Sequence, residues 1–151
     1  MNIAANPMVE ANQTIYLKDY KKPSFLVDAV ELDIQVYADY TQVGATLKMQ
    51  RQTAGDLVLF GRDLKLKSII LNGNELSEID YQLDSEQLRI ANARDQVTLE
   101  TIVIIHPESN TQLEGLYQAS SDLFVTQNEP EGFRKITFYP DRPDVLSVFT
   151  T

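Results

Sequence analysis

From Val30 to Tyr40 the chain reads VELDIQVYADY, and from Thr41 to Gln50 it continues TQVGATLKMQ. In the first segment Val30, Leu32, Ile34 and Val36 share one parity, with Glu31, Asp33 and Gln35 on the other. In the second, Val43, Ala45, Leu47 and Met49 alternate with Thr46, Lys48 and Gln50. Side chains of an extended chain point to alternate faces, so a period of two gives each segment one apolar and one wet face. Two such segments joined by a short polar connection predict an antiparallel hairpin, and with it a β fold.

The neighbouring sequence repeats the scheme. LVLF (Leu57 to Phe60) is a short apolar run, and LKLKSIILNGNEL sets Leu64 and Leu66 against lysines before an Asn72-Gly73 turn, the strongest short hairpin signal. In YQLDSEQLRIAN, Tyr81 and Leu83 precede a turn and Leu88 and Ile90 follow it. VTLETIVIIHP is β-branched almost throughout and apolar on both parities toward its end, which predicts a strand covered on two sides. At least six short strands result, and no segment carries an apolar stripe of helical period and length. The sequence predicts an all-β fold, an antiparallel β-sandwich or curved open β-sheet, with at most one short helical turn near the C-terminus. That turn is expected in DRPDVLSVF, where Asp141 is placed to cap it and Pro143 to stand in its first turn.

The 151 residues suit one domain. Residues 1–14 read as a loose polar tail and 15–151 as the β domain. Val148-Phe149-Thr150-Thr151 has strand preference with no cap or polar tail behind it, so the natural chain is expected to continue. Thirteen Lys and Arg against 22 Asp and Glu give a net charge of -9, a field that repels nucleic acid and anionic membranes, and the basic cluster Lys18, Lys21, Lys22 is too small to reverse it. The first residues lack a basic start with an apolar stretch, and no apolar run reaches membrane-spanning length, so neither export nor a membrane partner is expected. The absence of cysteine excludes disulfides, a thiol nucleophile and thiolate metal sites, and is compatible with a cytoplasmic location.

Catalytic signatures are missing from the chain. His106 is the single histidine, too few for a zinc site; before Pro107 at a strand end it reads as a surface or packing residue, and no G-x-S-x-G segment exists to place a serine for a Ser-His-Asp arrangement with it. The six glycines form neither a phosphate loop nor a dinucleotide fingerprint. No catalytic and no metal-binding residues are therefore assigned, and the chain alone is expected to be inactive.

The remaining signal lies between Asn110 and Thr151. LEGLY (Leu113 to Tyr117), T-Q-x-E-x-E-G-F-R (Thr126 to Arg134) and Y-x-D-R-P-D-V (Tyr139 to Val145) together resemble the N-terminal domain of the bacterial aminopeptidase N family, zinc exopeptidases of the M1 group. Upstream, YLKDYKKPSFLVDAVELDI resembles that family's leading segment, and the resemblance runs from about Tyr16 to Thr151. It implies a truncated protein: the chain would be the non-catalytic substrate-recognition domain, and the next domain its catalytic partner with the zinc. No cofactor is expected in this chain. By the same resemblance Glu129 would accept hydrogen bonds from the free α-amine of a peptide N-terminus, and Gln127 would line the pocket for the first side chain. Asn128 stands where the family often has Cys. From residue types alone, the Glu-Pro-Glu-Gly run is a solvated turn, Glu131 included. Arg142 is expected to brace the loop's return path, and Tyr117 and Phe133 to serve packing.

The rival is a free-standing β-sandwich binding module for protein or sugar, without enzymatic activity. A domain that leans on a neighbour should expose apolar surface near residues 113–149; an inert structural domain would turn Gln127 and Glu129 away from any cleft.

Overall fold

The computed structural model describes residues 16–151, so the expected tail lies outside the described residues. After a single 3₁₀ turn at Leu17–Asp19 come β1 (Phe25–Val36), β2 (Thr41–Arg51), β3 (Leu57–Phe60), β4 (Lys65–Leu71) and β5 (Asn74–Glu75). They are followed by β6 (Gln82–Leu83), β7 (Gln87–Ile90) and β8 (Gln96–Ile105), a 3₁₀ turn at Pro107–Ser109, then β9 (Gly115–Ser120) and β10 (Leu123–Gln127). A third 3₁₀ turn, Phe133–Lys135, precedes β11 (Val148–Thr150).

The hairpin read from alternation is present with the register that alternation demands. Val30 lies opposite Leu47, Leu32 opposite Ala45 and Ile34 opposite Val43. Opposed side chains point to the same face, so one face of the pair is apolar along its length. A bulge between Val27 and Ala29 shifts the parity once, which lets Phe25 and Val27 be buried on the same side as Val30. At the Asn72-Gly73 turn both residues adopt positive φ, 50° and 79°, as a type I′ turn requires. Asp84 accepts the amides of Glu86 and Gln87 and so closes the turn between β6 and β7.

The strands form a six-stranded sheet in the order β11-β1-β2-β8-β4-β5, a three-stranded sheet β3-β7-β6 and the hairpin β10-β9. One apolar cluster takes side chains from the two larger sheets: Val30, Val43, Leu47, Leu99 and Val103 from the first, Leu57, Leu59, Leu88 and Ile90 from the second. The expected all-β sandwich of open, mainly antiparallel sheets is thus the observed fold.

Three features differ from expectation. β8 buries only the parity of Val97, Leu99, Thr101, Val103 and Ile105; Ile102 is exposed and Ile104 half-buried, because only one face of this central strand meets the core among the described residues. The segment Asp141–Phe149 holds no helix: Val145 N–H closes one turn on the Arg142 carbonyl before β11, and the helical turn of this region is Phe133–Lys135. Finally, β11 pairs in parallel with β1, with Val30 opposite Phe149.

The C-terminal segment is bound to the body by paired backbone bonds between Phe60 and Tyr139, 2.8 and 3.0 Å. A polar clasp joins it to the first described residues. Arg142 makes a bidentate pair with Asp144 at 2.8 and 2.7 Å and donates to the Lys21 carbonyl, while Tyr20 Oη donates to Asp144 at 2.7 Å. The hydrogen bonds from Arg142 hold the Asp144 carboxyl below its ordinary range, and Asp144 in turn raises the Tyr20 hydroxyl. Arg142 therefore braces by carboxylate and carbonyl, as its guanidinium fork suggests, but its anchor is the leading segment of the chain.

Candidate functional site

The segment Thr126 to Gly132 leaves the sheet at the end of β10, where Gln127 is opposite Gly115. Asn128 to Gly132 is a closed loop, since Gly132 N–H donates to the Asn128 carbonyl at 3.0 Å. Glu129 and Pro130 form its apex, and both are exposed. Among the described residues no cation pairs with the Glu129 carboxylate. The Gln127 side-chain amide reaches back to the Glu129 carbonyl in a long contact of 3.5 Å. The two residues singled out in the sequence thus stand together on one short exposed loop, and among the described residues neither side chain pairs with an ion.

What holds this loop is less visible in sequence. A Cβ on Gly132 would fall 2.5 Å from the Gln127 carbonyl oxygen and 2.9 Å from Asn128 Cα, so the two limbs of the loop touch through backbone. Gly115, at φ 71°, lies under the same turn; a Cβ there would meet Lys135 Cβ at 2.7 Å and the Gly132 carbonyl at 3.1 Å. The LEGLY and GFR stretches therefore meet in space, each giving a glycine to one tight contact.

Arg134, the last residue of the T-Q-x-E-x-E-G-F-R motif, and the Lys135 that follows it are both buried. Arg134 donates through Nε to Asp141 Oδ2 at 3.1 Å and through a terminal nitrogen to the Asp141 carbonyl at 3.0 Å. Its backbone amide is taken by the same carboxylate, so Asp141 satisfies the start of the 3₁₀ turn from outside it. The guanidinium also lies over the Phe60 ring at 4.6 Å and pairs with Glu131 at 3.2 Å. Lys135 is held by Gln112, with Asp63 at 3.4 Å and Glu114 at 3.6 Å. Buried charge is tolerated only when partnered this completely, and removing one partner leaves an uncompensated ion. Glu131 sits at φ 77° with its side chain turned to Arg134, more than the free solvated turn residue that composition implies. The spacing of three between Glu131 and Arg134 was the only local signal; the link to Asp141 had none.

Phe133 packs edge-on against Tyr139 and Phe149, at 5.1 and 5.5 Å between ring centres, and Tyr117 is half-buried opposite Val125, so neither stands on the loop. Apolar side chains are nonetheless exposed between residues 113 and 149: Leu113, Leu123, Leu146, Val148 and Phe149. Among the described residues no group of three or more His, Cys, Asp or Glu side chains stands where it could hold a metal; His106 Nδ1 faces the Glu108 carboxylate at 2.9 Å and the Asp39 backbone carbonyl at 3.1 Å. The residues here do not fit a zinc ion. Nor, among the described residues, is any helix long and apolar enough to cross a membrane.

No family model matches the chain. It is 44% identical over 141 residues to aminopeptidase N of Caulobacter vibrioides, covering 91% of this chain and 16% of that protein. To aminopeptidase N of Escherichia coli it is 41% identical over 146 residues, covering 95% of this chain and 16% of that protein. Among solved structures, Legionella pneumophila aminopeptidase A in complex with aspartic acid matches with a TM-score of 0.80 at 31% identity, over 88% of this chain and 16% of that one. The M1 zinc metallopeptidase of Deinococcus radiodurans matches with a TM-score of 0.69 at 17% identity, over 85% of this chain and 32% of that one, a likeness of fold alone. The architecture is therefore the one found as a β region in M1 metallopeptidases. Within that class the sequence matches the N-terminal region of aminopeptidase N, and the chain spans 16% of the length of the curated relatives it matches.

Proposed function

We propose that this chain is the substrate-recognition domain of a cytoplasmic zinc aminopeptidase that releases N-terminal amino acids from peptides. It contributes no catalytic group; the zinc and the reacting groups belong to the catalytic domain, its partner within the full-length protein. Glu129 anchors the free α-amine of the peptide, and Gln127 lines the pocket for the first side chain. The observation that carries the reading is the Glu129 carboxylate, without a cation partner among the described residues, at the apex of a closed loop whose base is fixed by backbone contact and the buried Arg134–Asp141 pair. A carboxylate so held accepts a charge-assisted hydrogen bond from an ammonium, worth about 1.5–3 kcal/mol, and in this role the loop would stand where a longer N-terminal extension of the peptide would have to pass. The exposed apolar side chains between Leu113 and Phe149 suit a neighbouring domain packed against this part of the chain.

The test is Glu129→Ala in the full-length enzyme with amino-acyl anilides as substrates. Loss of the anchor should lower kcat/KM tenfold or more, corresponding to at least about 1.4 kcal/mol. Unchanged kinetics would remove Glu129 from the site.

A further inference from the structure

Glu129 is useful as an anchor only if its position is fixed. Among the described residues the loop is closed internally by the Gly132 to Asn128 backbone bond and the long Gln127 contact to the Glu129 carbonyl, and beyond its apex it is tied to the body by the pair between Glu131 and Arg134 at 3.2 Å. Arg134 is a rigid post: its side chain is 7% exposed, three of its donors reach Asp141, and its carbonyl accepts the Arg62 amide at 2.9 Å. Glu131, by contrast, is a 60% exposed side chain on a left-handed backbone. A pair with one exposed partner adds little to folding stability, since solvent screens it. Its geometric effect is another matter, because displacing a binding group by about an ångström is enough to change kinetics severalfold.

We propose that Glu131, tethered to Arg134, is a positioning residue that sets where the Glu129 carboxylate stands. The inference rests on Glu129 binding the substrate amine and adds the element that aims it. Glu131 touches neither substrate nor zinc in this role; it acts only through Glu129. Two consequences separate it from a second amine-binding carboxylate. Glutamine keeps an oxygen that can accept from Arg134, so Glu131→Gln should preserve most of the effect that Glu131→Ala destroys. And once Glu129 has lost its charge, the aim of the loop no longer matters.

The experiment is a double-mutant cycle in the full-length enzyme, measuring kcat and KM for an amino-acyl anilide with Glu131→Ala, Glu131→Gln, Glu129→Gln and Glu129→Gln combined with Glu131→Ala. Glu131→Ala should raise KM about threefold to tenfold with kcat changed less than about twofold and Tm unmoved, and Glu131→Gln should raise KM by less than about threefold. In the Glu129→Gln background Glu131→Ala should have no further effect. The proposal is overturned if Glu131→Ala leaves KM unchanged, if it lowers Tm together with activity, if Glu131→Gln is as damaging as Glu131→Ala, or if the two sites add independently. A Glu129→Gln enzyme with ordinary kinetics would overturn the amine-anchor reading itself and this inference with it.

Discussion

The β1–β2 hairpin and the stretch from Thr126 to Val145 reach their shapes by opposite means. In the hairpin, position along the strand decides everything: Val30, Val43, Ala45, Leu47 and Met49 all turn to the core, while Glu31 and Lys48 meet across the wet face at 3.2 Å. The later stretch has little regular structure after β10 and only one 3₁₀ turn before β11. It is shaped by two glycines in backbone contact and by buried Arg134 and Lys135 with their acceptors. A periodic element spreads its stability over many equivalent contacts, whereas an irregular one concentrates it in a few that have no substitutes.

That contrast can be broken at either end. The largest effect is expected in the hairpin, where Leu47 is fully buried opposite Val30: Leu47→Ala should cost about 2–5 kcal/mol in urea unfolding, and Leu47→Met less than about 1.5 kcal/mol, because the core tolerates apolar swaps of equal volume. A similar cost for both substitutions would mean that shape matters as much in the hairpin as in the loop. In the loop, Gly132→Ala adds one methyl against backbone atoms that cannot rotate away. It should cost about 1–3 kcal/mol by overpacking and also lower activity in the full-length enzyme, whereas a silent Gly132→Ala would show that the loop has slack.

The smallest effect concerns acid. Asp144 is held below its ordinary 3.8, first by its hydrogen bonds from Arg142, so its contribution is fully present above that value and is lost as pH falls through the lower folded one. The Tyr20 ring resonances, followed by NMR, should change over that interval while resonances of β2 do not. Joint change would tie the clasp and the hairpin into one acid-sensitive unit.

How much could be read from sequence follows the same division. Alternation located the hairpin and which face of it is buried, and Asn72-Gly73 located a turn whose positive φ values such residues adopt without strain. The parallel pairing of β11 with β1 was illegible, since nothing local in Val148 to Thr150 marks a partner more than a hundred residues away. Gln127 and Glu129 came from family resemblance, and the structure puts them together on one exposed loop. Their supports did not emerge, because Arg134, Lys135 and Asp141 have the composition of a solvated turn, and only distant partners make burial tolerable. Pro143 and Asp141 carry genuine helix-start chemistry, but Asp141 spends its carboxylate on Arg134.

The clasp of Tyr20, Lys21, Arg142 and Asp144 joins residues 124 and 121 positions apart in the chain. Closing a loop of that length is entropically unfavourable until the strands between are already paired, so these contacts belong to the late stages of folding. Exposed as they are, they belong with the contacts that open readily in native-state fluctuations. Opening of the clasp would free the leading segment while the Phe60–Tyr139 bonds and the pairing of β11 with β1 still hold the C-terminal one, and a protease that samples this opening would nick the chain near Lys21 before it reaches any central strand.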